Sequence, residues 1–264
     1  MLDLSKKKLF LLDMDGTLYL GDRLFDGALE FLRRVRETGG RYLFATNNSS
    51  RSVTAYVDRL RSMGIDAAKE DFLTSTDALI WYLQGRYDDA LIYAFGTRTF
   101  RHQLREAGFR VTDQREAGIS LLVCGFDTEL TFQKLEDACM LLGDPTVDFL
   151  ATNPDWVCPT AWGFVPDCGS VCEMLFRATG RRPRVIGKPE PEMALLAMER
   201  WGYSKEETLL VGDRIYTDIA CGVRAGIDTA FVLSGEGVPA DIERYGYSPT
   251  ETYRDIRDIL EHMN

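Results

Sequence analysis

Leu9-Phe10-Leu11-Leu12-Asp13-Met14-Asp15-Gly16-Thr17 is the stretch on which the reading of this chain turns. Four large apolar residues in a row suit a strand buried on both faces, as in a parallel sheet, and the run stops abruptly at two carboxylates and a glycine. Sheets of this kind bind ligands beyond the carboxyl ends of their strands. Alternation along an extended chain sends Asp13 and Asp15 to the same side, where they can converge on one site. Standing alone, an acidic pair after a strand is more often a solvated turn or a helix cap.

Working outward, strands are expected at Lys8–Asp13, Arg41–Thr46, Arg184–Gly187, Leu209–Gly212 and Thr229–Leu233. Helices with apolar residues at three- and four-residue spacing are expected between them at Gly27–Glu37, Val53–Met63, Glu192–Trp201 and Thr217–Ala225. This alternation predicts an α/β fold, a Rossmann-like doubly wound parallel sheet with covering helices. The middle of the chain has its own alternation at Ala90–Ala94, Arg98–Ala107, Ile119–Cys124, Phe132–Leu142, Val147–Ala151 and Ser170–Thr179. Ser170 followed by Glu173 reads there as a capping box. Residues 1–80 with 184–264 are therefore expected to form the core, and 81–183 a smaller inserted α/β domain that returns through Gly180-Arg181-Arg182-Pro183.

Composition narrows the function. Of 264 residues, 41 are acidic and 31 basic, for a net charge of −10, which opposes non-specific binding to a polyanion and argues against nucleic acid as a partner. Apolar runs such as Leu9–Leu12 are far shorter than the roughly 20 residues that span a bilayer, so no membrane segment is expected. Lys6, Lys7 and Lys8 are followed too soon by Asp13 and Asp15 for a signal peptide, and a cytoplasmic protein is expected. The six cysteines are scattered with no CxxC unit, so reduced and mostly buried thiols are expected.

Other strand ends are as unusual as the first. Tyr42-Leu43-Phe44-Ala45 gives way to Thr46-Asn47-Asn48-Ser49-Ser50, a run of small donors suited to a phosphate or, equally, to an ordinary helix cap. Val185-Ile186-Gly187-Lys188-Pro189 presents a single lysine, and Leu209-Leu210-Val211-Gly212-Asp213-Arg214 an aspartate, with Asp218 five residues further on. Four strands of one sheet would then bring Asp13, Asp15, Thr46, Asn47, Lys188, Asp213 and Asp218 to one edge. Carboxylates crowded at 4 Å repel by roughly 4 kcal/mol per pair at an effective dielectric near 20. A bound cation relieves this, and an all-oxygen donor set beside a phosphate points to Mg²⁺.

Asp13-Met14-Asp15-Gly16-Thr17, Thr46-Asn47-Asn48-Ser49, Gly187-Lys188-Pro189 and Gly212-Asp213-Arg214 with Thr217-Asp218-Ile219 closely resemble, in order and spacing, the four motifs of the haloacid dehalogenase-like superfamily. About 140 residues separate the second motif from the third, which resembles the branch with a large α/β cap, the NagD-like and 4-nitrophenylphosphatase-like phosphatases. Gly125-Phe126-Asp127 and Ala151-Thr152-Asn153-Pro154-Asp155 are similar to stretches of that cap. The resemblance covers essentially the whole chain. It implies Asp13 as the nucleophile that becomes an aspartyl phosphate, and Asp15 as general acid and then general base. It further implies Thr46, Asn47, Asn48 and Lys188 as the grip on phosphate, with Asn153 and Asp155 on the substrate side of the cap. Mg²⁺ would be held by Asp13, the backbone carbonyl of Asp15, Asp213 and Asp218, the last through a water or by orienting Lys188.

The implied activity is Mg²⁺-dependent hydrolysis of a small phosphorylated metabolite, such as a sugar phosphate or nucleotide monophosphate. Members of the superfamily that displace halide lack the second acid, so Asp15 favours phosphate chemistry. A phosphomutase on the same core, or a silent phosphate-binding member, is the alternative; a receiver domain would be about half this length and would lack Asp15. Cap-mediated homodimers occur in this branch, and the sequence leaves the oligomeric state open, as it does the physiological substrate. Relatives commonly carry a Pro-Gly-x-Gly stretch where this chain has Pro166-Asp167-Cys168-Gly169, a turn that tolerates aspartate or a substrate-facing pair. Trp156 and Trp162 are expected to pack in the core of the small domain rather than to stack on a ligand.

Overall fold

The computed structural model describes residues 2–49, 53–160 and 162–263, so Ser50, the end of the polar run after the second strand, lies outside them. The chain divides into two compact units, Met1–Thr46 with Val53–Leu73 and Lys188–Asn264, and Asn47–Ser52 with Thr74–Gly187. The second unit is wider than the segment 81–183. At one end, the helix Ser75–Leu83 packs against the helix Arg98–Glu106. At the other, Ile186 N–H donates to Ala151 and Gly187 N–H to Thr152, which keeps the chain on its sheet up to Gly187.

The first unit is built on a six-stranded sheet in the order Glu251–Tyr253, Asp228–Val232, Thr208–Gly212, Leu9–Leu12, Arg41–Thr46, Phe72–Thr74. Leu9–Leu12 is central, parallel to both neighbours and buried on every residue, as an unbroken apolar run requires. From it the chain moves outward first to one side and, much later, to the other, so the strand order reverses beside it. Leu12 pairs with Phe44 and with Val211, which sets Asp13, Thr46 and Asp213 at the same sheet edge, beside the point of reversal. The helix Ala28–Glu37 covers the sheet with Ala28, Phe31, Leu32 and Val35, the spacing of a single helical face. Phe31 meets Phe10 edge to face with ring centroids 5.7 Å apart.

In the second unit five strands run in the order Arg184–Val185, Asp148–Ala151, Ile119–Cys124, Leu91–Phe95, Arg110–Thr112, and the paired strands are parallel. Arg184–Val185 therefore belongs to this sheet and not to that of Leu9–Leu12, which corrects the expectation that four strands of one sheet deliver the candidate residues. The segment is short because it is an edge strand pairing through only two residues, Arg184 with Leu150 and Val185 with Ala151. Lys188 is reached three residues later by a loop. The helix expected from Ser170 begins at Cys168, capped by Asp167, whose carboxylate accepts from the Cys168 N–H; Ser170 is inside it and bonds the Trp156 carbonyl, so the Ser170/Glu173 capping box does not form. A hairpin, Val157–Thr160 with Gly163–Pro166, lies outside the expected elements; its Val157 and Phe164 are exposed and its Cys158 and Val165 half-buried. Trp156 precedes it and Trp162 stands in its turn, at 60% and 77% exposure, contrary to the core packing expected of them. Among the described residues no helix is long and apolar enough to cross a membrane.

Candidate active site

Within the first unit, Asp13 follows the central strand and its N–H continues the ladder to the Val211 carbonyl at 2.9 Å. Asp213 follows the neighbouring strand, and Asp218 stands four residues after Arg214 in a π-helical turn, Ile215–Ile219, that replaces the regular start of the expected helix. Such turns recur at functional sites because they re-aim side chains. Here the Asp218 carboxylate is turned back onto Arg214 N–H, which it accepts at 3.2 Å.

Lys188 ties these elements together. Its buried ammonium donates to Asp13 Oδ1 at 2.8 Å, to Asp218 Oδ1 at 2.6 Å and to the Ala45 carbonyl at 2.9 Å. Burial works against its charge, but Asp13 and Asp218 outweigh burial and hold it above the usual lysine range. Asp13 is pushed up to about 6, chiefly by burial, with Lys188 pulling it down and Asp218 pushing it up. Asp213 is pushed up to about 7 by burial and then by the charges of Asp13 and Asp218. Arg214 is held above the usual guanidinium range, since Asp13 and Glu236 outweigh the effect of burial.

The carboxylate oxygens of Asp13, Asp213 and Asp218 lie within 4.8 Å of one another. Asp213 is 2% exposed; its Oδ2 accepts the Glu236 N–H at 2.7 Å, while its Oδ1 has no hydrogen-bond partner. A buried carboxylate oxygen without a donor is costly unless something electropositive fills the place. Three hard oxygen ligands, with Asp13 and Asp213 raised first by burial and then by neighbouring carboxylates, and an orphaned oxygen fit a hard divalent cation. Glycines clear the space around the Asp213 carboxylate. A Cβ on Gly16, which adopts φ +83°, would stand 2.4 Å from Asp213 Oδ2, and one on Gly235 would stand 2.0 Å from the same atom.

Asp15 behaves differently from Asp13. Its side chain is 52% exposed, its Oδ2 stands 3.8 Å from Arg59 Nη1, and its carboxylate is not one of the trio. Thr46 ends its strand half-buried. Beyond it the contacts of the polar run belong to the second unit. Asn47 Nδ2 donates to Asp155 Oδ2 at 3.1 Å, and the Asn47 carbonyl accepts from Asn153 Nδ2 at 2.8 Å and from Ser75 Oγ at 2.6 Å. Ser49 Oγ accepts the Phe126 N–H at 2.9 Å and lies 3.1 Å from Thr152 Oγ1. Asn48 is half-buried.

Asn153, expected on the substrate side, is fully buried and uses its side chain on the Asn47 carbonyl and the Asp155 N–H. A side chain so engaged positions the loop, because leaving those buried groups unpaired would cost about 1–3 kcal/mol each. The stretches 125–127 and 151–155 are thus the braces of the polar run 47–49. Sequence reading missed Ser234-Gly235-Glu236-Gly237, which supplies the Glu236 N–H to Asp213 and the Ser234 hydroxyl to the Gly16 carbonyl at 2.7 Å. The available signal was a run of small residues at the carboxyl end of a core strand.

Comparison with known proteins agrees with this geometry. Residues 10–110 match a family described as haloacid dehalogenase-like hydrolase, and residues 185–259 a second described as HAD-hydrolase-like. An acid sugar phosphatase of Staphylococcus aureus is 32% identical over 260 residues, 98% of this chain and 99% of the relative. The crystal structure of a 4-nitrophenylphosphatase from Thermotoga maritima superposes with a TM-score of 0.91 at 37% identity, covering 99% of each chain. A glycerol phosphate phosphatase from Mycobacterium tuberculosis, solved in complex with magnesium, gives 0.88 at 31% identity over 98% of this chain and 78% of that one. With the acid trio, the buried lysine and the reversal of strand order already in place, these matches show that the chain belongs to the haloacid dehalogenase-like hydrolases, in their NagD-like and 4-nitrophenylphosphatase-like branch.

Proposed function

We propose that this phosphoric monoester hydrolase releases phosphate from a small phosphorylated metabolite through an aspartyl phosphate on Asp13. The observation that carries the reading is the ammonium of Lys188 held between Asp13 and Asp218, beside the unpartnered oxygen of Asp213. Lys188 favours the ionised, nucleophilic form of Asp13 against burial and meets the negative charge that gathers as phosphorus is attacked. In the first step an Asp13 oxygen bonds to phosphorus, the bond to the leaving oxygen breaks, and Asp15 gives that oxygen its proton. In the second, water attacks the phosphoryl group, Asp15 takes the water proton, and inorganic phosphate leaves with Asp13 restored.

Asp15 suits both roles through its exposure, which lets its proton exchange with solvent between steps. Thr46, with Asn47 and Asn48 after it in the chain, is assigned to the phosphate oxygens; Asp155 orients Asn47, and Asn153 positions the same loop. Asp13 and Asp213, with the Asp15 carbonyl, would hold Mg²⁺, which when bound supplies charge neutralisation between nucleophile and phosphate. Asp218 is assigned to orienting Lys188, from which its Oδ1 accepts at 2.6 Å. The sugar, glycerol and nitrophenyl esters named for the relatives support phosphates of sugars or polyols, with nucleotide monophosphates next.

Phosphate release from a panel of such esters, with Mg²⁺, after chelation, and in Asp13→Asn, tests the proposal. Turnover that needs the metal and disappears in the variant is expected. Full activity of folded Asp13→Asn, or activity that survives exhaustive chelation, would overturn it.

A further inference from the structure

Cys124, Cys168 and Cys172 converge within the second unit. Cys124 closes the strand Ile119–Cys124, Cys168 opens the helix Cys168–Thr179, and Cys172 follows one turn later on the same helical face. Their sulfurs all lie within 4.8 Å of one another, with Cys168 and Cys172 at 3.9 Å, and none is in a disulfide. The first two thiols are fully buried and Cys172 is 7% exposed. An ion with sulfur bonds of about 2.3 Å, in trigonal or tetrahedral geometry, needs sulfur separations of about 3.8–4.0 Å. The Cys168–Cys172 pair already has that spacing, and the third sulfur has at most about 1 Å to close.

We propose that these three thiols form a site for one thiophilic closed-shell metal ion, Zn²⁺ or Cu⁺. Binding replaces each S–H bond by a sulfur–metal bond and releases three protons to solvent; no electron is transferred. Hydrogen bonding to Cys168 and burial hold the Cys124 thiol well above the usual range, and Cys172 is raised as well, so the ion itself must displace those protons. Cys168 is the first residue of a helix of twelve, whose dipole attracts negative charge there, with its first N–H groups already bonded to Asp167 and Asp155. The Cys168 thiol donates to the Cys124 carbonyl at 3.4 Å and is held well below the usual range by hydrogen bonding with the Cys124 and Cys172 thiols, then with Asn153 and Thr152, despite burial. Soft sulfur donors and the hard oxygen donors of Asp13 and Asp213 select different ions, so Mg²⁺ does not compete for the cysteines. A trio of buried thiols that serve only as small apolar side chains is the alternative that the experiment must exclude.

The full-length reduced protein, stripped of metal and then saturated with Mg²⁺, is titrated against a competing chelator with Zn²⁺ and, without oxygen, with Cu⁺. One equivalent bound per chain, with three sulfur neighbours by X-ray absorption, is expected in at least one arm. Cu⁺ alone would identify a three-coordinate site, Zn²⁺ alone one completed by an oxygen. Cys172→Ser and Cys168→Ser should each weaken binding more than about tenfold, as loss of a ligand must exceed loss of an outer partner. Cys139→Ser and Cys158→Ser should leave it unchanged. Because the trio variants risk misfolding, alkylation of the wild-type thiols is mapped in parallel, and Cys124, Cys168 and Cys172 should be protected together by the ion. No ion retained in either arm, fewer than three sulfurs, or metal that leaves the alkylation of these cysteines unaltered would overturn the proposal.

Discussion

Replacing Lys188 by Met keeps the buried stem and removes only the charge, so the response isolates electrostatics from packing. In the wild type the ammonium satisfies two carboxylates at 2.8 Å and 2.6 Å, the second belonging to an aspartate 1% exposed. Deleting one partner of a buried ionic cluster strands the other, at a cost of about 3–5 kcal/mol. The cost depends on pH in a direction the structure fixes. Asp13 stands at about 6 when folded against a usual 3.8, so the folded protein already loses stability as pH rises through this window. Lys188 pulls that value down, so without it Asp13 moves higher and the window widens upward. The part of the difference between variant and wild type that comes from Asp13 should therefore be small near pH 5, where Asp13 holds its proton in both, leaving the lost contact with Asp218 as the remainder. Above pH 6 it should grow by about 1.4 kcal/mol per unit until the variant's Asp13 also ionises. Urea unfolding followed by fluorescence at pH 5, 6.5 and 8, in the absence of divalent metal, measures this. A penalty that is absent, or that does not change between pH 5 and 8, would refute the assignment of Lys188 as the counter-charge of Asp13.

Three further outcomes are expected. Gly235→Ala places a methyl where the Asp213 carboxylate stands, 2.0 Å from Oδ2, and should raise the Mg²⁺ concentration needed for half-maximal phosphate release by about tenfold or more with circular dichroism unchanged. Asp167 is pushed up to about 8, first by burial and then by Asp155, so its neutral form stabilises the fold at low pH and that stability is lost as pH rises from about 4 toward 8. Asp167→Asn keeps the helix cap without the titration, so its melting temperature should gain on the wild type between pH 5 and 8, and parallel pH profiles would contradict this. Phe31→Ala empties a fully buried ring site against Phe10 and should cost about 3–5 kcal/mol in chemical denaturation, with the metal requirement of the folded enzyme unaltered.

Much was legible in the sequence because the signals are local. Leu9–Leu12 must be a strand buried on both faces, and its abrupt end at Asp13 needs no tertiary information to be noticed. The same holds for the helix Glu192–Trp201, whose apolar spacing gave its bounds. The short edge strand Arg184–Val185 carries no such mark. Two residues can join either sheet, and only pairing with Leu150 and Ala151 decides. Trp156 and Trp162 run against expectation for a related reason, since no run of apolar residues in sequence shows that this hairpin leaves them exposed.

The sequence by itself marked four strands of the core sheet and the inventory of groups near their ends: aspartates, a lysine, a threonine. These follow from runs of a few residues, where the backbone period dictates which side chains are buried. Tertiary structure alone decided which of them share charge. Lys188 meets Asp13 across 175 positions of chain and Asp218 across 30. Asn153 turns from a candidate substrate ligand into a brace for Asn47, and three scattered cysteines come to face one another. Hydrogen bonds and Coulomb forces act over a few ångströms of space, and no spacing in sequence measures that distance until the fold has closed it.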